Sequence, residues 1–351
     1  MIGFLNINKP VGLSSRDVVE KIQGRLNQQV PGLKVGHCGT LDPLADGVLV
    51  LAIGRATVLT RLLQHGDKRY LGRFRLGLTS ESNDTESPTQ EVPVPVVPTQ
   101  EMVQSVLQNY VGILKQVPPK FSAVRIGGKR AYELARKGKV FEVPEREVEV
   151  YNLTLTYYQF PDFELDIHCS GGTYVRSLGR DIAVDLGTAA VMTALTRTQS
   201  CNFLLQQAGA LDSLIETNID PRLLTKPVDA LDRFPTVVAD QESIDRFRNG
   251  LVGFNLMHQL NDRRIAYYRE ERSQAERKSA LQQINLQAAR DNNGTSSKKD
   301  WSEEYRVVTE DGLLVGMAVY CGDKPFEKQW AVSVNFAHSL LQQKISAANP
   351  S

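Results

Sequence analysis

The chain has 351 residues, 41% hydrophobic and 23% charged, with a formal net charge of +1. That length allows two domains with buried cores, the composition excludes wholesale disorder, and the near-zero charge leaves any nucleic-acid contact to local clusters. Dispersed cysteines (Cys38, Cys169, Cys201, Cys321) without a Cys-x-x-Cys pair, no signal-peptide layout and no long apolar run predict a soluble, cytoplasmic protein with reduced thiols and no zinc site.

Ile2 to Lys9 reads as a short strand broken by Pro10-Val11-Gly12. Ser14 and Asp17 have the spacing of a capping box, and the helix behind them places Val18, Val19, Ile22 and Leu26 on one face. A polar loop, Gln28 to Lys34, leads into Gly36-His37-Cys38-Gly39-Thr40-Leu41-Asp42-Pro43-Leu44-Ala45-Asp46-Gly47. Its glycines free the backbone to turn, and Pro43 keeps Asp42 out of the helical region, so this carboxylate belongs on an extended loop. Asp46 is expected as a turn residue before Gly47, and Val48 to Ile53 as a buried strand followed by a short helix from Ala56 to Leu63. Tyr70 to Leu76 is the next strand. Thr79 to Gln100, rich in Ser, Thr, Glu and Pro, reads as a loop or linker with little core potential.

Met102, Val106 and Tyr110 recur at helical spacing, and Pro118-Pro119 is expected to stop that helix. Ser122 to Ile126 is strand-like, Gly127-Gly128 a turn, and Tyr132 to Lys137 helix-like. Arg125, Lys129, Arg130, Arg136, Lys137 and Lys139 gather there beside Phe121 and Tyr132, a composition suited to a phosphate backbone. Phe163, Leu165, Ile167 and Cys169 alternate with polar residues as in a half-buried strand. Gly171-Gly172 turns the chain into a helix with Val175, Leu178, Ile182 and Leu186 inward and Gly187 at its stop. Val191 to Leu195 leads into Thr196-Arg197-Thr198. The irregular order of strands and helices predicts an α+β domain around a mixed sheet. From about residue 229 the texture changes to a small β-rich domain, with strands at Phe234 to Ala239 and Tyr305 to Val319. A charged, Gln-rich insertion at about 258–300, partly helical, interrupts it.

Gly36 to Ala45, followed by Gly54-Arg55-Ala56-Thr57, resembles the signature of the TruB family of tRNA pseudouridine synthases, which isomerise uridine 55 of the tRNA T-loop. The likeness extends over most of residues 2–215. It includes Asn8-Lys9-Pro10, Lys68-Arg69-Tyr70, the segment Gln116 to Ala123, and Cys169-Ser-Gly-Gly-Thr-Tyr174-Val-Arg176. The reaction breaks the N1–C1′ bond and forms C5–C1′ with no net gain or loss of atoms, so neither cofactor nor metal is needed. The five histidines include no helical pair at ligand spacing.

The resemblance implies that Asp42 is the catalytic nucleophile, acting at ribose C1′ or C2′ or at uracil C6. It implies that Tyr70 stacks on the flipped base and is a candidate for handling the C5 proton, and that Arg176 pairs with Asp42 and keeps it ionised. Arg176 falls in the first turn of a predicted helix, where a cation opposes the dipole and calls for an acidic partner. Tyr174 and Leu195 are implied to line the uracil pocket, His37 to fill the T-loop space left by the base, and Lys9 to support the active-site loop as part of the substrate-binding set.

The family pattern further implies a catalytic domain over 1–228, with 118–146 as a basic, RNA-contacting thumb, and a PUA-like RNA-binding domain over 229–340. The expected partner is tRNA, with no membrane, guide RNA or obligate protein partner, and the expected state is a monomer. Cys38 and Thr196 depart from the residues the family often carries there, and the 258–300 insertion is foreign to the pattern. Three alternatives remain: a non-catalytic tRNA-binding or RNA-folding protein on the same fold, a guide-RNA-dependent relative, and a hydrolase built on Asp42 and Asp46. The start of the chain close to Asn8-Lys9-Pro10 counts against the guide-dependent form.

Overall fold

A computed structural model describes residues 1–285, 304–321 and 329–336. The chain divides into two compact units, Met1–Thr225 and Lys226–Ser351.

The first unit opens with β1 (Gly3–Lys9) and α1 (Ser15–Gln29). The predicted capping box is present: Asp17 N–H donates to Ser14 Oγ at 3.2 Å, and Ser14 N–H donates to Asp17 Oδ2 at 2.8 Å. Val18, Ile22 and Leu26 of α1 are buried. Next come β2 (Val35–His37), β3 (Ala45–Ile53), a 3₁₀ turn over Gly54–Leu59, α2 (Thr60–Gln64) and β4 (Lys68–Leu76). They are followed by the short pair β5 (Leu78–Thr79) and β6 (Gln90–Glu91), α3 (Gln100–Leu107) and β7 (Gly112–Gln116). A small hairpin, β8 (Arg125–Ile126) and β9 (Lys129–Arg130), runs into α4 (Ala131–Ala135). The unit continues with β10 (Arg146–Gln159), β11 (Asp162–Cys169), α5 (Val175–Asp185) and β12 (Ala190–Ser200). It ends with β13 (Phe203–Leu204), β14 (Gly209–Ala210) and α6 (Leu211–Glu216).

Ten of these strands form one mixed sheet in the order β14-β1-β3-β12-β4-β11-β10-β7, with β2 on β3 and β13 on β12. β1/β14 and β3/β12 run parallel; the other pairs are antiparallel. β3 is buried along nearly its whole length, as its unbroken apolar run predicts. β4 alternates: Tyr70, Phe74 and Leu76 face the core, while Arg69, Arg73 and Arg75 stand on the other face and pair with Asp166, Glu164 and Asp162 of β11.

Four expectations need correction. Asp46 is not a turn residue; it lies inside β3, paired with Thr196 of β12. α3 buries Val103 and Leu107, not Met102, which is 42% exposed. The chain after α3 is not helix up to Pro118, because strand β7 intervenes and pairs with β10. The Thr79–Gln100 segment is not an inert linker, since Ser82 and Asp84 within it are fully or almost fully buried.

The second unit contains α7 (Pro227–Ala230), β15 (Thr236–Val238), α8 (Gln241–Arg248), α9 (Phe254–Asn285), β16 (Glu304–Val308), β17 (Leu314–Tyr320) and β18 (Trp330–Asn335). Its four strands form a sheet in chain order. Leu256, Met257 and Leu260 at the start of α9 pack with Tyr305, Val315 and Trp330 in one core. Trp330 Nε1 donates to Asn261 Oδ1 at 2.8 Å. The insertion expected at about 258–300 therefore begins as helix inside this unit's core, and its residues 286–300 lie outside the described residues.

Candidate active site

Asp42 sits on the loop between β2 and β3, and the loop is fastened from several directions. Leu41 N–H donates to the buried Ser15 Oγ at 2.7 Å, and that hydroxyl donates back to Leu41 O at 2.9 Å. Cys38 N–H donates to Val50 O at 2.8 Å, Gly12 N–H to Pro43 O at 2.8 Å, and Ala45 N–H to Asp42 O at 3.1 Å. At Gly47 the φ of +97° and the approach of β12 leave no room for a side chain; a Cβ would lie 2.3 Å from Arg197 O.

Arg197 braces the loop from beneath and is only 2% exposed. Its Nε donates to Val48 O at 2.7 Å, Nη1 to Thr40 O at 3.2 Å and Nη2 to Gly39 O at 3.2 Å. One guanidinium thus ties β12 to β3 and to the loop just before Asp42. Lys9 is fully buried, and its Nζ donates to Pro10 O at 2.8 Å and Leu13 O at 2.7 Å in the turn between β1 and α1. Burial lowers its pKa, while Asp46, Asp42 and Glu86 oppose that shift. Two of the three ammonium N–H groups are thus engaged by carbonyls of the turn between β1 and α1.

Arg176, in the first turn of α5, reaches Asp42: Nη2 lies 2.9 Å from Asp42 Oδ2. The guanidinium is 6% exposed, whereas the Asp42 side chain is 33% exposed and open to an incoming group. Arg176 also donates Nη1 to Ser82 O at 2.9 Å and Nη2 to Phe121 O at 3.1 Å, and Nη1 lies 3.3 Å from Asp84 Oδ2. Asp84 is completely buried, and its Oδ1 accepts from Ser82 Oγ and from Glu86 N–H. The buried guanidinium is thus flanked by two carboxylates and two carbonyls, while Asp84 Oδ2 faces it at ion-pair distance without a hydrogen-bond partner of its own. Glu86 extends it, accepting Leu44 N–H on Oε1 at 2.8 Å. Partial desolvation, then Asp84 and Asp42, raise the pKa of Glu86.

The other residues singled out from the sequence lie on β4, β12, β2 and the segment leading into α5. Tyr70 on β4 faces the core beside Arg197 of β12. Burial raises its phenol pKa, opposed by Arg197, so at neutral pH it is an uncharged ring. Leu195 is buried between Gly72 of β4 and Ala45 of β3. Tyr174 precedes α5, with its main chain gripped at both ends by Gln116: Tyr174 N–H donates to Oε1 at 2.8 Å and Nε2 donates to Tyr174 O at 3.1 Å. The Arg146 guanidinium lies 4.4 Å above the Tyr174 ring centre, and its buried Nε has no hydrogen-bond partner. His37 lies on β2; its pKa is lowered by burial, then by Arg197, with Arg130 of the basic hairpin adding to the shift. Its Nδ1 is buried without a hydrogen-bond partner.

The sequence reading missed Asp84, Arg197, Glu86 and Arg146. The only prior signal was the position of Arg197 next to Thr196, where the family often has Arg. Among the described residues no group of three or more metal-ligating side chains occurs, and no helix is long and apolar enough to cross a membrane. All four cysteines are free, and burial pushes the Cys38 and Cys169 thiols up to about 12. A shallow hollow bounded by Arg73, Arg75, Tyr157, Asp162, Thr193 and Ala194 contains none of the predicted site residues.

The family described as TruB family pseudouridylate synthase (N terminal domain) matches residues 16–175. The tRNA pseudouridine synthase B of Rhodopirellula baltica is 39% identical over 261 residues, covering 71% of this chain and 75% of that protein. Its namesake from Microcystis aeruginosa is 40% identical over 247 residues, 68% of this chain and 82% of that one. Among solved structures, the fold is similar to one titled as a Cbf5-Nop10-Gar1 complex, with a TM-score of 0.61 over 95% of this chain and 83% of that one. At 21% identity that likeness concerns the fold alone. Identity near 40% across most of two relatives, on a mixed α+β sheet shared with that solved structure, places this chain in the TruB family of pseudouridylate synthases.

Proposed function

We propose that this protein is a tRNA pseudouridine synthase that isomerises uridine 55 of the T-loop, with Asp42 as nucleophile. The observation that carries the reading is the 2.9 Å contact between Arg176 Nη2 and Asp42 Oδ2. It holds one carboxylate oxygen in a fixed direction while the side chain stays partly open, and Tyr70, Tyr174 and Leu195 are read as the walls of the uracil pocket. The target uridine leaves its stack at a cost of a few kcal/mol, which contacts in the pocket offset. Stacking on an aromatic face such as Tyr70 contributes roughly 1–3 kcal/mol. Asp42 acts at the ribose or at uracil C6, the N1–C1′ bond breaks, the base turns, C5 bonds to C1′, the C5 proton departs and N1 takes up a proton, so that no atom is gained or lost overall. The neutral phenol of Tyr70 is suited to packing on the base and relaying that proton, not to serving as a resident phenolate.

His37, with its unsatisfied Nδ1 and uncharged ring, fits the space the base vacates. Arg146 offers its guanidinium to the RNA backbone beside Tyr174, and the basic hairpin around Gly127-Gly128 grips the T-arm as a thumb. The second unit is read as a PUA-like RNA-binding domain, and the whole chain as a cytoplasmic monomer acting without guide RNA. Relatives of this chain carry the name tRNA pseudouridine synthase B, which supports the substrate class.

Tritium release from C5-labelled uridine in an unmodified tRNA transcript, with wild type beside Asp42→Asn, tests the reading. Release by wild type alone, mapped to uridine 55, is the expected result. A folded wild type that binds tRNA but releases nothing would favour the non-catalytic RNA-binding alternative.

A further inference from the structure

We propose that Glu86 is a positioning residue for the catalytic loop: by accepting the Leu44 amide, its carboxylate holds the Asp42-Pro43-Leu44 turn in register with Arg176. The inference rests on the functional reading above and extends it to a residue outside the signature.

Leu44 N–H lies inside the turn closed by the Ala45 N–H to Asp42 O bond, two residues from the nucleophile. The turn supplies no main-chain acceptor for it, and Glu86 Oε1 fills that place at 2.8 Å. Among the described residues, this is the only carboxylate that accepts a main-chain N–H from the 36–47 loop other than within a helix or strand. The other fastenings are a hydroxyl, main-chain carbonyls and the Arg197 guanidinium.

The same short segment also holds Arg176, through Ser82 O and Asp84. Asp84 Oδ1 accepts Glu86 N–H at 3.0 Å, so the group that flanks Arg176 also sets the start of the Glu86 side chain. The segment is hung on β12 by Thr85 N–H to Met192 O at 3.2 Å and Met192 N–H to Asn83 O at 3.0 Å. Residues 82–86 therefore bridge the two halves of the catalytic ion pair, with one end on the guanidinium and the other on the loop that carries the carboxylate. Misplacing a reacting group by about 1 Å can cost as much as 10²-fold in rate, so a bridge of this kind acts on turnover more than on affinity. An exposed carboxylate at this place also repels RNA phosphates. A neutral side chain with the same acceptor therefore keeps the latch and loses the repulsion.

The test uses the full chain with Glu86→Ala and Glu86→Gln, reading kcat, KM for tRNA and amide hydrogen exchange at Leu44. The expected result for Glu86→Ala is kcat lower by roughly tenfold, KM within about twofold of wild type, and faster Leu44 exchange. Glu86→Gln is expected to return kcat to within about threefold, protect Leu44 and lower KM slightly. Wild-type kcat or unchanged Leu44 exchange in Glu86→Ala would overturn the proposal. So would a Glu86→Gln variant as slow as Glu86→Ala with Leu44 still protected, because the charge and not the latch would then matter. Lack of isomerisation by wild type would defeat the functional reading instead, and the exchange measurement would still report on the latch.

Discussion

The signature loop and the basic hairpin are both glycine-bearing connections rich in polar residues, yet they are built in opposite ways. The loop from Gly36 to Gly47 is fastened to α1, β3, β12 and the Ser82–Glu86 segment. Among the described residues, every hydrogen bond of residues 122–139 closes within that segment, as in Ala131 N–H to Val124 O at 2.7 Å and Tyr132 N–H to Ser122 O at 3.0 Å. A Cβ at Gly47 would strike Arg197, whereas one at Gly127 or Gly128 would meet nothing within 4 Å. On the proposed reading, the nucleophile in the first needs a fixed direction, and the RNA grip of the second needs room to adjust to a flexible polyanion. The anchoring differs accordingly.

The sharpest way to break this comparison is to remove the chemistry and leave the grip. Asp42→Asn is expected to lower turnover by at least about 10⁴-fold while tRNA affinity stays within a few-fold, because binding is spread over phosphate contacts. Parallel tritium-release and filter-binding assays check this; an equal loss of binding would mean the two roles are not separate. Next, Arg176→Lys is expected to cost about 10²-fold in kcat, since an ammonium cannot serve Asp42, Ser82 O and Phe121 O from one planar group.

Backbone substitutions sharpen the contrast. Gly47→Ala adds a steric clash to a left-handed backbone, and a loss of about 3 kcal/mol is expected, seen as a fall of roughly 10 °C in Tm. Gly128→Ala carries only the backbone term and is expected to cost about 1 kcal/mol. Replacing Lys129 or Arg130 with Ala is expected to weaken tRNA binding several-fold with kcat retained, and to reduce the salt slope of binding by about 1 for each phosphate contact removed.

The smallest effect concerns pH. His37 has a lowered pKa when folded, so the unfolded chain binds the proton more readily below its ordinary value near 6.5. Stability from this residue is complete above that value and is lost as pH falls through it toward the lower folded value. His37→Gln is expected to flatten that part of a Tm-against-pH curve.

Much of this was legible in local sequence. The capping box at Ser14, the buried run in β3, the alternation in β4 and β11 and the helix behind Gly172 each depend on neighbours in the chain, and each formed where periodicity placed it. The family signature placed Asp42 and Arg176 as partners, and they meet at 2.9 Å. Other features depend on distant partners. Asp84 lies in a Ser- and Glu-rich stretch that reads as a linker, and its burial follows from Arg176, far along the chain. Arg197 serves main-chain carbonyls, which every residue carries, so no pattern in the loop announces it. Asp46 was misread because β3 starts three residues before its apolar run, where pairing with β12 extends the strand.

The reach of Arg197 has a consequence for the order in which the protein is made. The loop it braces is synthesised about 150 residues earlier than Arg197 itself. A nascent chain that has emerged only as far as α5 already holds Asp42, Tyr70 and Arg176 but lacks the strand between β3 and β4 and the internal brace of the loop. Contacts so distant in sequence form late, after the loop-closure entropy of the intervening chain has been overcome. A chain that ends before β12 therefore carries the loop without its guanidinium brace.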